Sequence, residues 1–571
     1  MTNLMTPKEL NEIGDQYFYG NGVDKNIEVA FTYYKRAADQ NNPVGLANVG
    51  KYFLEKQNGK QALVYYQKSA ELDYGLAYIK LSDMFLNGIG VKKNKKKAFK
   101  YLESAVKLNE VDAYHQLGQF YLLGFGCKKS EEKAYELFDS SAQSNHTEGM
   151  YQLGHLLING KKIKKDDEAA FFYLDKAATN NNVNAINYLK ELYRLPHSYL
   201  KKKSDLTRMK MWFFYDEILA GLDDVDALRR CAFDYYNGTE VVGVNFDKSI
   251  KYFKVLHGLD HVDGYLGMGL SYLYGYGVTC DLERAQNYLE IASNRGSSKA
   301  KNALGDMYRL GKGVEVDYNR ARDYYLEAAK DNEEDALINL GLLHYRKQIK
   351  NANDTLALQF MTRASEKNSA AAFYWLGIFS DKGIGQNRSF DSAVKFFEKA
   401  IVNGNVGAKY KLAQLLYDQT QEEKMPKRKK DKQYLNIRDL LLEYIENPLS
   451  QDVNVLYSLY LLGDLFSLND FSEASDKRKR YFYESAAEKG FSKAMVKMFD
   501  ILSAKEPQRA IFWLEEACKK PTDGEEYFQM GLIYNNGLFG KKQDKVMAQK
   551  YFTKAAELNH KEALIKLSIG N

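Results

Sequence analysis

The sequence predicts an all-α chain, an α/α superhelical solenoid of about 15 stacked helix-pair repeats. Three observations lead there. A short pattern recurs along nearly all of the 571 residues at a step near 36. Within each copy, small and apolar residues fall at helical spacing. Many of the 41 glycines fall at turns and at one point of most copies, where they permit positive φ or close helix contact, and only 7 prolines interrupt the chain.

The pattern is clearest in DAYHQLGQFYLLGFGCKKSEEKAYELFDSSAQSN from Asp112 and KAKNALGDMYRLGKGVEVDYNRARDYYLEAAKDN from Lys299. Indexed by the small residue after the leucine, the clear copies anchor on Gly14, Gly50, Ser82, Gly118, Gly154, Gly269, Gly305, Gly341, Gly377, Gly463 and Gly531. Weaker copies anchor on Lys190, Ala232, Ala413, Phe499 and the incomplete Ser568. The step is a constant 36 from Gly305 to Ala413, falls to 32 where an inner loop is shortened, and rises to 42 and 50 at two insertions.

Ala113, Leu117, Gly118 and Tyr121 share one helix face, with Gly118 leaving its centre bare for a second helix. Gly124 and Gly126 close that helix and connect it onward. Ala134, Leu137, Phe138 and Ala142 define the second helix, and a bend at Gln143, Ser144 and Asn145 leads to the next copy. A lone pair cannot bury both of its faces, so the copies must stack.

At these residues the chain resembles the Sel-one-like repeat family, relatives of the tetratricopeptide repeats. Gly14, Tyr17, Gly20, Gly22, Val23, Asp24, Ala30, Tyr33, Ala37 and Ala38 follow the family's pattern, as do Gly269, Tyr272, Gly275, Gly277, Val278, Asp281, Ala285 and Tyr288. The resemblance implies non-enzymatic scaffolding. The family includes adaptors in endoplasmic-reticulum degradation, chitin-synthase activators, mitochondrial assembly factors and bacterial host-interaction proteins. The paired cysteines of its secreted branch are missing. Cys127, Cys231, Cys280 and Cys518 form no CxxC, which points to a reducing compartment.

Two insertions divide the expected array. The resulting segments are an N-terminal repeat array over 1–194, an inserted helical segment over 195–226, a central array over 227–418, a basic insertion plus helix over 419–450, and a C-terminal array over 451–571. Within the first insertion, 206–220 reads as one helix carrying Trp212, Phe213, Phe214 and Tyr215.

Catalytic and metal chemistry find no foothold in the sequence. The recurring G-x-G lacks the preceding strand or following GK[ST] of a phosphate cradle. No HExxH or Cys/His cluster stands among the 8 histidines, and no Ser/His/Asp set can be assembled. No cofactor is expected. The N-terminus has no signal-peptide pattern and no apolar run is long enough to span a bilayer, so the expected location is cytoplasmic. Net charge is +6, which makes nucleic acid an improbable partner. Lysine clusters at 92–97, 161–165, 201–203 and 427–432 nevertheless leave an anionic surface or nucleic acid as a weaker alternative.

The expected partner is a protein or peptide held on the concave face lined by the first helices. By analogy with tetratricopeptide repeats, the exposed inner positions lie three before and one after each anchor. They read Asn11 and Asp15, His115 and Gln119, Tyr151 and His155, Asn187 and Glu191, Asn302 and Asp306, Tyr374 and Ile378, Tyr410 and Gln414. The N-terminal, polar set suits an extended peptide, and the apolar set around Leu266, Leu270, Ile338 and Leu342 suits an amphipathic helix or self-contact. An adaptor subunit of an enzyme complex, such as a ubiquitin ligase or an activated synthase, is the alternative role.

Overall fold

The computed structural model describes residues 5–194, 204–447, 453–468 and 473–569. The described residues contain 31 helices and no strand. All sixteen anchors fall on odd-numbered helices in chain order, from Gly14 on Pro7–Tyr19 to Ser568 on Lys561–Ile569. The described helices are therefore fifteen pairs and a final single helix.

The chain divides into two compact units, Met1–Tyr288 and Leu289–Asn571. The division falls within the helix Leu282–Asn294, at neither of the expected insertions. The first unit holds seven pairs, the last being Val225–Asn237 with Phe246–Gly258, followed by Val262–Tyr274. The second runs from Ser298–Leu310 with Tyr318–Ala329 through Glu525–Asn536 with Lys545–Glu557 to the single helix. In both units a helix packs chiefly on its neighbours in the chain, as a stack of repeats requires.

The fourth pair shows why these residues form these elements. Val111–Leu123 ends where Gly124, in the left-handed region, donates its N–H to the Phe120 carbonyl. Glu131–Gln143 begins where the Ser130 hydroxyl accepts from the Lys133 N–H, with Glu131 and Glu132 in the first turn, where the helix dipole favours negative charge. Asn145, with φ of 58°, turns the chain into the next copy, and Asn109 and Asn181 do the same at neighbouring bends.

The core is built pair by pair on one contact. A Cβ placed on Gly14 would fall 2.4 Å from the Tyr34 ring, on Gly118 2.5 Å from Phe138, on Gly305 2.5 Å from Tyr325, and on Gly531 2.6 Å from Phe552. The ring sits about 20 residues after the anchor and lies against the bare backbone of the first helix. Tyr34, Phe138 and Tyr325 are fully buried there. Each such ring contributes about 1.5–3 kcal/mol by leaving water, and the glycine makes the approach possible.

The turns stack as well. A Cβ on Gly90 would meet the Gly59 carbonyl carbon at 2.1 Å, and one on Gly126 the Lys95 oxygen at 2.3 Å. In the second unit, Gly385 stands in the same relation to Asp354. Each such turn is pressed onto the start of the preceding pair's second helix.

Both insertions contain second helices of regular pairs. Asp205–Ala220 pairs with Val183–Arg194, and Lys427–Ile445 pairs with Gly407–Glu422. The basic stretch from Lys427, expected as an insertion before the helix, is itself part of that helix, which reaches 19 residues. The lysine cluster at 201–203 and residues 448–450 lie outside the described residues.

In the sixth pair the anchor position carries Lys190 rather than a small residue, and the usual contact is replaced. Asp216, fully buried on the second helix, accepts from the Lys190 ammonium and from Arg230 Nε and Nη2 at 2.9 and 2.7 Å. The Trp212 ring faces both cations, at 4.7 Å from Lys190 Nζ and 5.6 Å from the Arg230 guanidinium carbon.

Gly305→Ala should lower stability by about 1–3 kcal/mol in thermal or urea unfolding, because the added methyl must displace the Tyr325 ring. Gly258→Ala, where the Cβ would meet nothing within 4 Å, should be neutral or stabilising by up to about 1 kcal/mol. Equal effects from the two substitutions would contradict the packing described.

Candidate partner-binding face

At three places the residue three before an anchor meets the residue two before the next anchor, so those first helices are joined by side-chain rungs. Asn48 Nδ2 donates to Asn11 Oδ1 at 3.0 Å, and Asn339 Nδ2 to Asn302 Oδ1 at 3.1 Å. Tyr151 meets Tyr188 edge-on at 6.4 Å. The expectation is that these positions face solvent; most of them are instead covered by neighbours, and Asn187 is exposed. Asn11 and Tyr410 are buried, and Asn302, His115, Tyr151 and Tyr374 are half-buried. Asn11 also donates to Asn42, and Tyr410 packs on the Tyr444 and Tyr457 rings. In the apolar set, Leu266 and Ile338 are buried in the stack, while Leu270 and Leu342 are half-buried.

The position after the anchor has a second duty that sequence reasoning missed. Asp15 accepts from the Tyr34 hydroxyl at 2.7 Å and Asp306 from Tyr325 at 2.8 Å. Asp464 and Tyr483 repeat the arrangement at 2.5 Å. The carboxylate satisfies the one polar atom of a buried ring, and burial with the nearby carboxylate pushes each tyrosine pKa upward. The recurrence of Asp at this position together with Tyr about 20 residues on was the available signal.

In the first unit the remaining positions form a polar and aromatic strip over the fourth to sixth pairs. His155 lies 4.9 Å from the Tyr188 ring and 6.1 Å from Tyr151, and Asn159 Nδ2 donates to the Tyr188 hydroxyl at 2.6 Å. Asn187 and Glu191 are exposed, with Glu191 bridged to Arg194, and Gln119 is half-exposed. His115 stacks on His146 at 4.5 Å, and its Nδ1 is buried without a partner. His146 accepts from the Gly149 N–H through Nδ1 and places Nε2 3.2 Å from Asp112. Burial, followed by the neighbouring His146, pushes the His115 pKa down to about 4, and burial also lowers that of His155.

In the second unit Gln414 accepts from Lys411, and Tyr374 packs against Trp375 and Phe397. The aromatic row continues beyond the expected residues through Tyr457, Tyr460 and Phe491, with ring centroids 5.6–6.4 Å apart. It reaches a cleft of about 550 Å³ lined by Tyr460, Lys497, Asp500, Glu526 and His560 among others. Glu526 is fully buried, with Oε1 accepting from the Thr522 N–H and Oε2 unpaired. It stands five before its anchor, where Ala113, Gly149, Ala300 and Ala372 stand in other copies.

Among the described residues, no group of three or more His, Cys, Asp or Glu could hold a metal ion. No helix there is long and apolar enough to cross a membrane. All four cysteines are free thiols, and burial pushes those of Cys231 and Cys518 up to about 12.

The Sel1 repeat pattern matches thirteen segments: 10–42, 44–74, 75–110, 111–146, 147–182, 225–254, 262–297, 298–333, 334–369, 370–405, 457–491, 503–521 and 527–560. The longest unmatched stretches contain the sixth and twelfth pairs. Among solved structures, the chain is 21% identical to c5321, a protective antigen of uropathogenic Escherichia coli with an SLR fold. That match covers 82% of this chain and 95% of that one, with a TM-score of 0.46. A Sel1 repeat protein from Oxalobacter formigenes is 20% identical over 73% of this chain and 95% of that one, at TM-score 0.24. Yeast Tom70 is 14% identical over 90% and 96%, at 0.29. No curated protein sequence matches.

The histidine stack makes the first unit pH-sensitive. With its folded pKa depressed, His115 binds fewer protons folded than unfolded, so its contribution is complete above about pH 6.5 and is lost as pH falls toward 4. Thermal unfolding between pH 7 and pH 4.5 should show a falling midpoint, and His115→Asn should flatten that slope. An unchanged slope in the variant would contradict the assignment.

Proposed function

We propose that this chain, which belongs to the Sel1 repeat family, is a non-enzymatic scaffold that binds protein or peptide partners along the first helices of its pairs. Repeats of this kind generally serve as protein-interaction scaffolds or adaptors. One observation carries the reading. The anchor contact fixes the frame of the pairs with a small anchor, while Gln119, His155, Asn187 and Glu191 beside the anchors differ from copy to copy and keep all or part of their surface open to solvent.

The first-unit strip is the better developed part of that surface. Gln119, Tyr151, His155 and Asn187 offer both donors and acceptors on a rigid frame, suited to the unpaired N–H and C=O groups of an extended peptide. Glu191, Gln414 and Tyr374 are further contact positions. Asn11, Asp15, Asn302, Asp306, His115 and Tyr410 act mainly by holding the frame, as their partners within the chain indicate. An adaptor subunit within an enzyme complex would use the same surface and is distinguished by the identity of what it holds.

Affinity purification with quantitative mass spectrometry tests this. In His155→Glu with Asn187→Glu, recovery of a wild-type partner should fall by about tenfold, the equivalent of 1.4 kcal/mol. Phe172→Glu, at a 60% exposed position of a second helix, should leave recovery unchanged. Unaltered recovery in the double variant, with its circular dichroism intact, would sink the assignment of this strip.

A further inference from the structure

The turns of the third, fourth and fifth pairs form one surface. The Gly126 turn is seated on Lys95 of the preceding pair, and the Lys95 ammonium lies 3.9 Å over the Phe125 ring. The Lys161 and Lys162 N–H groups both donate to Glu131 Oε2 at 2.8 Å, which ties the next turn to the fourth pair. Three lysine-rich segments separated in sequence thus become contiguous in space.

Segments 92–97, 128–133 and 161–165 carry twelve lysines, all exposed. None of the twelve ammonium groups forms an ion pair among the described residues, although ion pairs are frequent elsewhere in the chain. The carboxylates beside them are occupied by other groups. Glu131 accepts the two turn N–H groups, Ser130 donates to Glu132, and Asp166 caps the Ala169 N–H. Twelve lysines against the five acids Glu131, Glu132, Asp166, Asp167 and Glu168 leave an excess of 7, while the whole chain has +6. These turns therefore hold all of the chain's net positive charge. Lys95, Lys96 and Lys97 also occupy a helix first turn with no acid, where the helix dipole disfavours cations. Local stability alone does not account for that placement.

We infer that this ridge docks the chain onto an anionic membrane surface, with phosphatidylserine-type headgroups as its ligand. Neighbouring turns lie about one helix spacing apart, roughly 8–10 Å, close to the screening length of about 8 Å at physiological salt, so their fields add. The charge is entirely lysine, with no arginine fork of the sort that grips one phosphate or carboxylate bidentately. Dispersed, flexible point charges suit a fluid sheet of headgroups. Ile89, 40% exposed in the first of these turns, adds an apolar side chain to the basic surface. Single-stranded nucleic acid fits less well, because Phe125, an aromatic ring in these turns, is already covered by Lys95.

Co-sedimentation of the full chain with vesicles tests the inference. The chain should bind phosphatidylcholine vesicles containing about one-third phosphatidylserine but not pure phosphatidylcholine, and raised salt should reduce binding by about tenfold or more. Lys92→Glu, Lys93→Glu, Lys128→Glu and Lys129→Glu together should lose about tenfold or more of that binding. The same reversal at Lys427, Lys429, Lys430 and Lys432, which changes net charge equally, should retain it. No binding to the anionic vesicles, equal loss in both variants, or binding of single-stranded RNA without vesicle binding would each overturn the proposal.

Discussion

The closeness of the two helices in the glycine-anchored pairs rests on an aromatic or long apolar side chain laid on a residue that has none. Where Tyr34 covers Gly14 or Phe138 covers Gly118, a methyl group on the anchor would stand about 2.5 Å from the ring. Helix separation, burial of the ring and the alignment of the following turn all depend on that gap. With the pair closed, the tyrosine hydroxyl reaches the aspartate after the anchor, and the turn settles on the preceding copy. The first-helix rungs and the lysine ridge are downstream of this contact.

The sixth pair shows what happens when the contact is absent. Lys190 occupies the anchor, and Asp216 takes up its charge together with Arg230 under the Trp212 ring. A buried ion group of this kind adds little net stability over an apolar alternative. Removing Asp216, however, would leave the Lys190 ammonium buried without its carboxylate and destabilise by about 3–5 kcal/mol. The arrangement joins the sixth pair to the seventh, since Asp216 lies on Asp205–Ala220 and Arg230 on Val225–Asn237. The family pattern does not match this pair.

The periodic part of the fold was legible because it is local. Each of the sixteen anchors lies on a first helix, and the expected glycine turns, such as Gly124 with Gly126 and Gly275 with Gly277, take positive φ. The helix expected over 206–220 begins at Asp205. What escaped were contacts between copies. Asn11 and Asn48 are 37 residues apart, and no period within one copy reveals that they hydrogen-bond. For that reason positions assigned to open solvent by analogy turned out to be rungs. The basic stretch from Lys427 reads only as an insertion preceding a helix, because charge without apolar spacing gives no helical signal, yet it forms the first turns of that helix, whose later residues Ile437, Leu441 and Tyr444 are buried. The C-terminal cleft was missed although Glu526 breaks a run of small residues at its position.

The sixth and twelfth pairs lie outside the matched repeat segments, yet they pack as full members of their units. Hydrogen exchange followed by mass spectrometry on the intact chain tests this directly. Amides of Val183–Arg194, Asp205–Ala220, Gly407–Glu422 and Lys427–Ile445 should be protected to the same degree as those of the pairs on either side. Exchange of these four helices at the rate of an unfolded chain, beside protected neighbours, would show them to be linkers and would contradict the stacked-pair account.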